Sequence, residues 1–377
     1  MTSKTLSANL IQAWQKTVLS LSRLSNKDKQ DPNLSAMIRK LTKEERPSLF
    51  KLREAFTIDR EALTYSLLSH KENIVAYMLG FHLQNIFRLE KTFERVETKW
   101  KWSLKNAGCS SLSIWDLGCG SGALSQFFAE KFAPSFASSR VYLYDTNSLL
   151  LNASKLFFEH LSLPNLKIFP RKVGLHDLNT APNIFPDELV VIGLGYVWNE
   201  LGKNKIAQGK IQSLIKHYLE NKAKVMLSVM EPAQDFAARS AMKLHDDMIA
   251  LGFIPLYPCP HQENCPMLSR SKDWCYSEFS SEDLPSDAQA IDKLLEIDRT
   301  LIASAAYVYV SPALFETIKK PVKHDPIIVG RPRERDGESF TYLLCDPEVE
   351  IRRVEGISSR GRVTLRGDSY RSFEVKS

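Results

Sequence analysis

Residues 111–147 read SLSIWDLGCGSGALSQFFAEKFAPSFASSRVYLYDTN. Ser111–Leu117 is a short, mostly apolar run of the kind a strand buried on both faces carries. Three glycines follow at once, and SGALSQFFAEKF then has the apolar spacing of a helix. VYLYDTN is a second strand. Working outward, SLLLNASKLFFEHL is a helix, LKIFPRKV and ELVVIGLG are strands, and KIAQGKIQSLIKHYLE is a helix. AKVMLSVMEP is a strand and DFAARSAMKLHDDMIALGF a helix. Strands alternating with helices of this length predict an α/β fold, a doubly wound, parallel and helix-covered Rossmann-like sheet, over residues 106–255.

The loop between the first strand and its helix is Asp116-Leu-Gly118-Cys-Gly120-Ser121-Gly122. Glycines there allow tight turning and close backbone approach to a ligand. The helix N-terminus adds unpaired N–H groups and a positive dipole. Dinucleotide loops space their glycines G-x-G-x-x-G. Here the spacing is G-x-G-x-G with an acid two residues earlier, the pattern of class I S-adenosylmethionine (SAM) methyltransferases. Asp116 suits the ligand's ammonium end or orders the loop. Asp145, ending the second strand, suits both ribose hydroxyls, or caps the next helix. Asp177, after the third strand, suits the adenine amino group, or is a turn residue. The SAM-binding candidates are therefore Asp116, Gly118, Gly120, Ser121, Gly122, Asp145 and Asp177. No catalytic residue is assigned: after the fourth strand the chain reads Gly195-Tyr-Val-Trp-Asn-Glu200, without a Pro-Pro motif. Methyl transfer from an activated sulfonium can proceed on proximity and orientation.

The flanks differ in texture and charge. Residues 1–105 read as a helical region, with 19 basic and 11 acidic residues. Its first 27 residues carry no acid, and Leu6, Leu10, Trp14, Val18 and Leu21 share a helical stripe. That fits an ordinary amphipathic helix, with a transit peptide as the alternative; the expected location is the cytoplasm, with the mitochondrial matrix second. Residues 256–320 form a cysteine-rich insertion ending in the last part of the core sheet, where AIDKLLEIDRTLIA reads as helix and AAYVYV as strand. Residues 321–377 read as a small, barrel-like β module with 13 basic and 10 acidic residues from 318 onward. Basic ends around an acidic centre favour a polyanionic partner, RNA above all. No stretch of 18 apolar residues is present, so no membrane partner is expected, and the chain is expected to be monomeric.

Six cysteines in 377 residues are too sparse for a disulfide scaffold. Cys259, Cys265 and Cys275 cluster as C-x5-C-x9-C, with Cys345 a fourth candidate. Clustering of this kind reads as metal binding. Zinc sites prefer closer cysteine pairs, while iron–sulfur clusters accept irregular spacing. His261 is a further candidate ligand; Cys109 and Cys119 read as fillers.

PCPHQENCPM…DWCYSEF, downstream of DLGCGSG and the strand ending MEP, resembles the methyltransferase-like proteins of the small ribosomal subunit, best known from mitochondria. YVWNEL, AYMLGFHLQNIFR and RGDSY share in the resemblance, which spans roughly 45–377. It implies a SAM-methyltransferase fold acting in assembly or translation of the small subunit by binding its rRNA. It also implies a 4Fe–4S cluster on Cys259, Cys265, Cys275 and Cys345.

Overall fold

The computed structural model describes residues 6–25, 33–57, 67–318, 326–329, 333–334 and 339–357. The chain is mixed α/β with mostly parallel strands, as a Rossmann-type methyltransferase fold requires. It divides into two compact units.

The first unit is Met1–Glu90, Ser111–Leu178 and Ser280–Ile302. Strands β1 (Ser111–Leu117), β2 (Ser138–Asp145) and β3 (Leu166–Lys172) pair in parallel in the order β3-β2-β1. The crossovers are helices Ala123–Phe132 and Ser148–Leu161, which pack on these strands. Asn147 caps the second helix, its carboxamide oxygen accepting from the Leu149 and Leu150 N–H groups. On β2 the residues alternate: Ser139, Val141 and Leu143 are buried, Arg140, Tyr142 and Tyr144 half-buried. One face of the strand is therefore covered more fully than the other.

Helix Ala8–Leu21 packs against helix Ser148–Leu161. Leu10, Trp14 and Val18 are almost fully buried, and the Trp14 indole donates to the Met78 carbonyl at 2.9 Å. The N-terminal stripe is thus core, as the amphipathic-helix reading expects. Helix Lys71–Tyr77 and helix Leu83–Trp100 are joined by a π-helical turn, Met78–His82. Gly80 sits in that turn where a Cβ would lie 2.9 Å from Leu49.

The second unit is Lys91–Ser110, Asn179–Phe279 and Ala303–Ser377. Strands β4 (Glu188–Gly195) and β5 (Lys224–Glu231) are parallel. β8 (Leu301–Val310) runs antiparallel to β5, and β6 (Ile254–Tyr257) antiparallel to β8. β7 (Ser277–Ser280) also pairs with β8. The helix expected over 290–303 stops at Leu294, and Leu301 already belongs to β8. Glu296, with φ 56°, is in the left-handed region and ends the helical path. A separate antiparallel sheet has β9 (Ile327–Ile328), β10 (Arg333–Glu334), β11 (Ser339–Cys345) and β12 (Ile351–Ile357). The strands expected at GRVTLRG and SYRSFEV lie outside the described residues. Among the described residues no helix is long and apolar enough to cross a membrane.

Candidate functional site

In the first unit, the chain leaves β1 through three left-handed glycines: Gly118 (φ 71°), Gly120 (φ 52°) and Gly122 (φ 81°). The Tyr144 carbonyl accepts from the N–H groups of Gly118 (2.8 Å) and Cys119 (2.9 Å), pinning the loop to the end of β2. At Gly122 a Cβ would sit 2.1 Å from Ser154 Oγ and 2.8 Å from Gln126 Nε2. Only glycine fits there, on grounds of both space and φ.

The two acids hold this loop from either side. Asp116 is 1% exposed, and its Oδ2 accepts from the Ser125 N–H at 3.0 Å, tying the end of β1 to the following helix. Burial pushes its carboxyl up to about 6, against the pull of the Ser125 hydrogen bonds. Asp145 Oδ2 accepts from the Gly120 N–H, and Oδ1 from the Asn147 N–H, both at 2.7 Å. Burial raises its carboxyl, while these backbone bonds lower it.

Ser121 is buried, and its hydroxyl lies 2.7 Å from His82 Nδ1. His82 is itself fully buried beside Phe157, and burial drives its imidazole down to about 3, so it stays neutral. The Tyr77 hydroxyl lies 3.8 Å from where a Gly120 Cβ would stand. Sequence reasoning missed His82, Tyr77 and Gln126; the glycine inside AYMLGFHLQNIFR is the one signal that pointed there. Asp177 sits on an exposed 3-10 turn, Leu175–Asp177, its carboxylate 3.1 Å from the His176 ring.

In the second unit, the four candidate cysteines come from separate elements. Cys259 follows β6, Cys265 precedes the turn Pro266–Ser269, Cys275 precedes β7, and Cys345 ends β11. None is in a disulfide. Burial pushes Cys259 and Cys265 up to about 12. Cys345 is also raised by burial, and then by the charges of Cys259, Cys275 and Cys265. The four sulfurs therefore share one electrostatic neighbourhood. The His261 Nε2 lies 3.3 Å from Cys345 Sγ, and His245 Nδ1 3.7 Å from Cys259 Sγ. Among the described residues, no three or more His, Cys, Asp or Glu side chains form a group that could hold a metal ion. Cys119 is buried in the glycine loop and Cys109 is half-buried, away from this cluster in the chain.

The segment after β4 is fixed by a residue the sequence did not flag. Glu231, fully buried at the end of β5, accepts through Oε1 from the N–H groups of Trp198 (2.7 Å) and Asn199 (3.3 Å). The Asn199 carboxamide donates to its Oε2. Tyr196, with φ 63°, is left-handed, a conformation that costs a non-glycine residue strain.

No curated protein sequence matches the chain. Among solved structures, it is similar to a Listeria monocytogenes protein described as a class I SAM-dependent methyltransferase (12% identity, TM-score 0.37, covering 80% of this chain and 88% of that one). It is similar to magnesium protoporphyrin IX methyltransferase from Synechocystis PCC 6803 with bound SAM (14%, TM-score 0.32, 70% and 97%). It is also similar to an rRNA methylase from Streptococcus thermophilus (11%, TM-score 0.30, 58% and 96%). These overlays are loose, and the fold is read from the chain's own topology. The family model described as mitochondrial small ribosomal subunit Rsm22 matches residues 86–372, and the chain belongs to that family.

Proposed function

We propose that this methyltransferase-like member of the Rsm22 family binds SAM in the glycine loop and acts on the small ribosomal subunit by binding its rRNA. The observation that carries the cofactor reading is the cradle itself. Three glycines take left-handed backbones, a Cβ at Gly122 would collide with Ser154, and Asp145 anchors Gly120. Gly118, Gly120, Ser121 and Gly122 would face the amino-acid end of SAM. Asp145 would take the ribose hydroxyls, and Asp177 the adenine. SAM supplies an activated methyl group when bound; this chain's residues position it and exclude water. Calorimetry with SAM tests the reading. Micromolar-range binding weakened by Asp145→Ala is expected, and no heat with the intact protein would overturn it.

Cys259, Cys265, Cys275 and Cys345 would hold a 4Fe–4S cluster, with zinc the alternative ligand. The donors fit: four free cysteines from four elements, Cys275 and Cys345 buried and Cys259 and Cys265 half-buried, share one electrostatic neighbourhood. Burial raises the Cys259 and Cys265 thiols, and a bound cation would favour their thiolate forms. The irregular spacing favours a larger core over zinc. When bound, the cluster would crosslink β11 to the β6–β7 segment. Anaerobically purified protein should contain iron and acid-labile sulfide; one zinc and no iron would decide for the alternative.

Methyl transfer to rRNA is one outcome; a binding role in assembly or translation without transfer is the other. Comparing modified nucleotides in small-subunit rRNA with and without the protein separates the two. The protein would act as a monomer. The family description fits the mitochondrial matrix, the second of the two locations expected from sequence.

A further inference from the structure

The β1–β2–β3 ribbon carries a row of stacked aromatic rings that runs out to its edge strand. Across the parallel register, Trp115 sits opposite Tyr142, and Tyr142 opposite Phe169. The ring centroids are 4.8 Å apart for Trp115–Tyr142 and 5.0 Å for Tyr142–Phe169, the latter nearly parallel at 17°. Tyr144 stacks on Trp115 at 5.7 Å and 11°. Trp115 is buried, whereas Tyr142, Tyr144 and Phe169 keep part of their surface in solvent. Since side chains on a strand alternate between faces, Arg140, Tyr142 and Tyr144 on β2 share one face with Lys167, Phe169 and Arg171 on β3. The stack ends at Phe169, on the edge strand of the sheet. Lys167 and Arg171 flank Phe169 on that face, Lys172 follows, and all three are exposed.

We propose that this edge is a platform for single-stranded RNA: a base continues the ring stack against Phe169, while Lys167, Arg171 and Lys172 hold the phosphates on either side. It rests on the reading that the chain binds small-subunit rRNA, and it names where and in what form. Three features favour RNA over a protein strand. Pro170 removes a backbone N–H from the edge, which disfavours strand addition. The exposed charges flanking Phe169 are all basic, the complement of a phosphate backbone. Sheet-borne aromatics with basic neighbours suit unpaired bases, which stack without regard to sequence. Basic residues alone would serve to protect an edge; they do not account for a ring stack that ends there.

The test uses the full-length protein and fluorescence anisotropy with a labelled single-stranded oligonucleotide of small-subunit rRNA and its matched duplex. The single strand should bind more tightly. Phe169→Ala should weaken it about ten-fold, within the range for loss of one base stack, while Phe169→Trp retains binding. Lys167→Glu and Arg171→Glu, at exposed positions that leave folding intact, should each weaken binding and reduce its salt dependence. A 4-thiouridine photocrosslink should fall in residues 166–172. If the intact protein binds and none of these variants changes its affinity, the platform is wrong while the RNA-binding reading stands. If the intact protein binds no small-subunit RNA, that reading fails and the platform with it. A crosslink from this edge to a ribosomal protein within the subunit would equally overturn the platform.

Discussion

His82 and Ser121 meet across 39 residues of sequence: the imidazole Nδ1 and the hydroxyl are 2.7 Å apart, both buried. The π-helical turn Met78–His82 makes this possible by rotating the helix before Leu83. The glycine loop is thereby held from the helical region as well as from β2. His82→Ala should weaken SAM binding several-fold without touching the ligand, whereas Ser121→Ala, which removes the partner hydroxyl, should give a similar loss. If the pair acts together, the double variant loses no more than either single one, which calorimetry on all three can read.

Acidification separates two buried groups in this unit. His82 is neutral when folded, with a pKa of about 3 against an ordinary 6.5. Between these values the unfolded chain binds the extra proton, so stability falls as pH drops from about 6.5 towards 3. Asp116, at about 6 against 3.8, contributes the opposite sign: the folded state holds the proton, and stability falls as pH rises through that window. Between about pH 4 and 6 the two contributions have opposite sign and largely cancel. Thermal melts should show His82→Gln losing stability as pH rises through this window, and Asp116→Asn losing stability as pH falls through it.

Trp14 provides the stability test of the N-terminal helix. It is 0% exposed, and its indole N–H satisfies the Met78 carbonyl. Trp14→Ala should cost about 3–5 kcal/mol through the cavity, with a further loss for the stranded carbonyl. Trp14→Phe should recover part of the packing but not the hydrogen bond. Urea unfolding of both variants gives the split.

The strands and the glycine loop were legible because their signals are local. Continuous apolar runs mark β1, β4 and β5, and three closely spaced glycines mark a turn no other residue can make. The partners of that loop were not legible. His82 enters through a π turn that breaks the 3.6-residue period, and Glu231 looks from sequence like the unremarkable end of a strand. The contact of His261 with Cys345 spans 84 residues, which no spacing rule reaches. The end of the 290–303 helix was misplaced because Glu296 has a left-handed backbone that composition does not announce.

Cys345 should report whether the cysteines act as one site. It pairs with Ile327 on β9 and Ile351 on β12, so the small sheet presents it from a fixed backbone. Cys345→Ser should abolish bound iron and also loosen β11, raising proteolysis at its flanking segments. Cys109→Ser, at a half-buried cysteine near Lys224, should leave iron and sulfide content unchanged. Equal iron loss in both variants would show general unfolding rather than a site.

Glu231 fixes the segment that follows β4, and its conservative variant separates charge from shape. Its carboxylate accepts from two backbone N–H groups and from the Asn199 carboxamide. Glu231→Gln keeps one acceptor oxygen but turns an N–H₂ group towards a donor. Glu231→Ala leaves the Trp198 N–H buried without an acceptor, a loss of about 1–3 kcal/mol. Both should destabilise, Ala more than Gln, and both should speed amide exchange at Trp198 and Asn199.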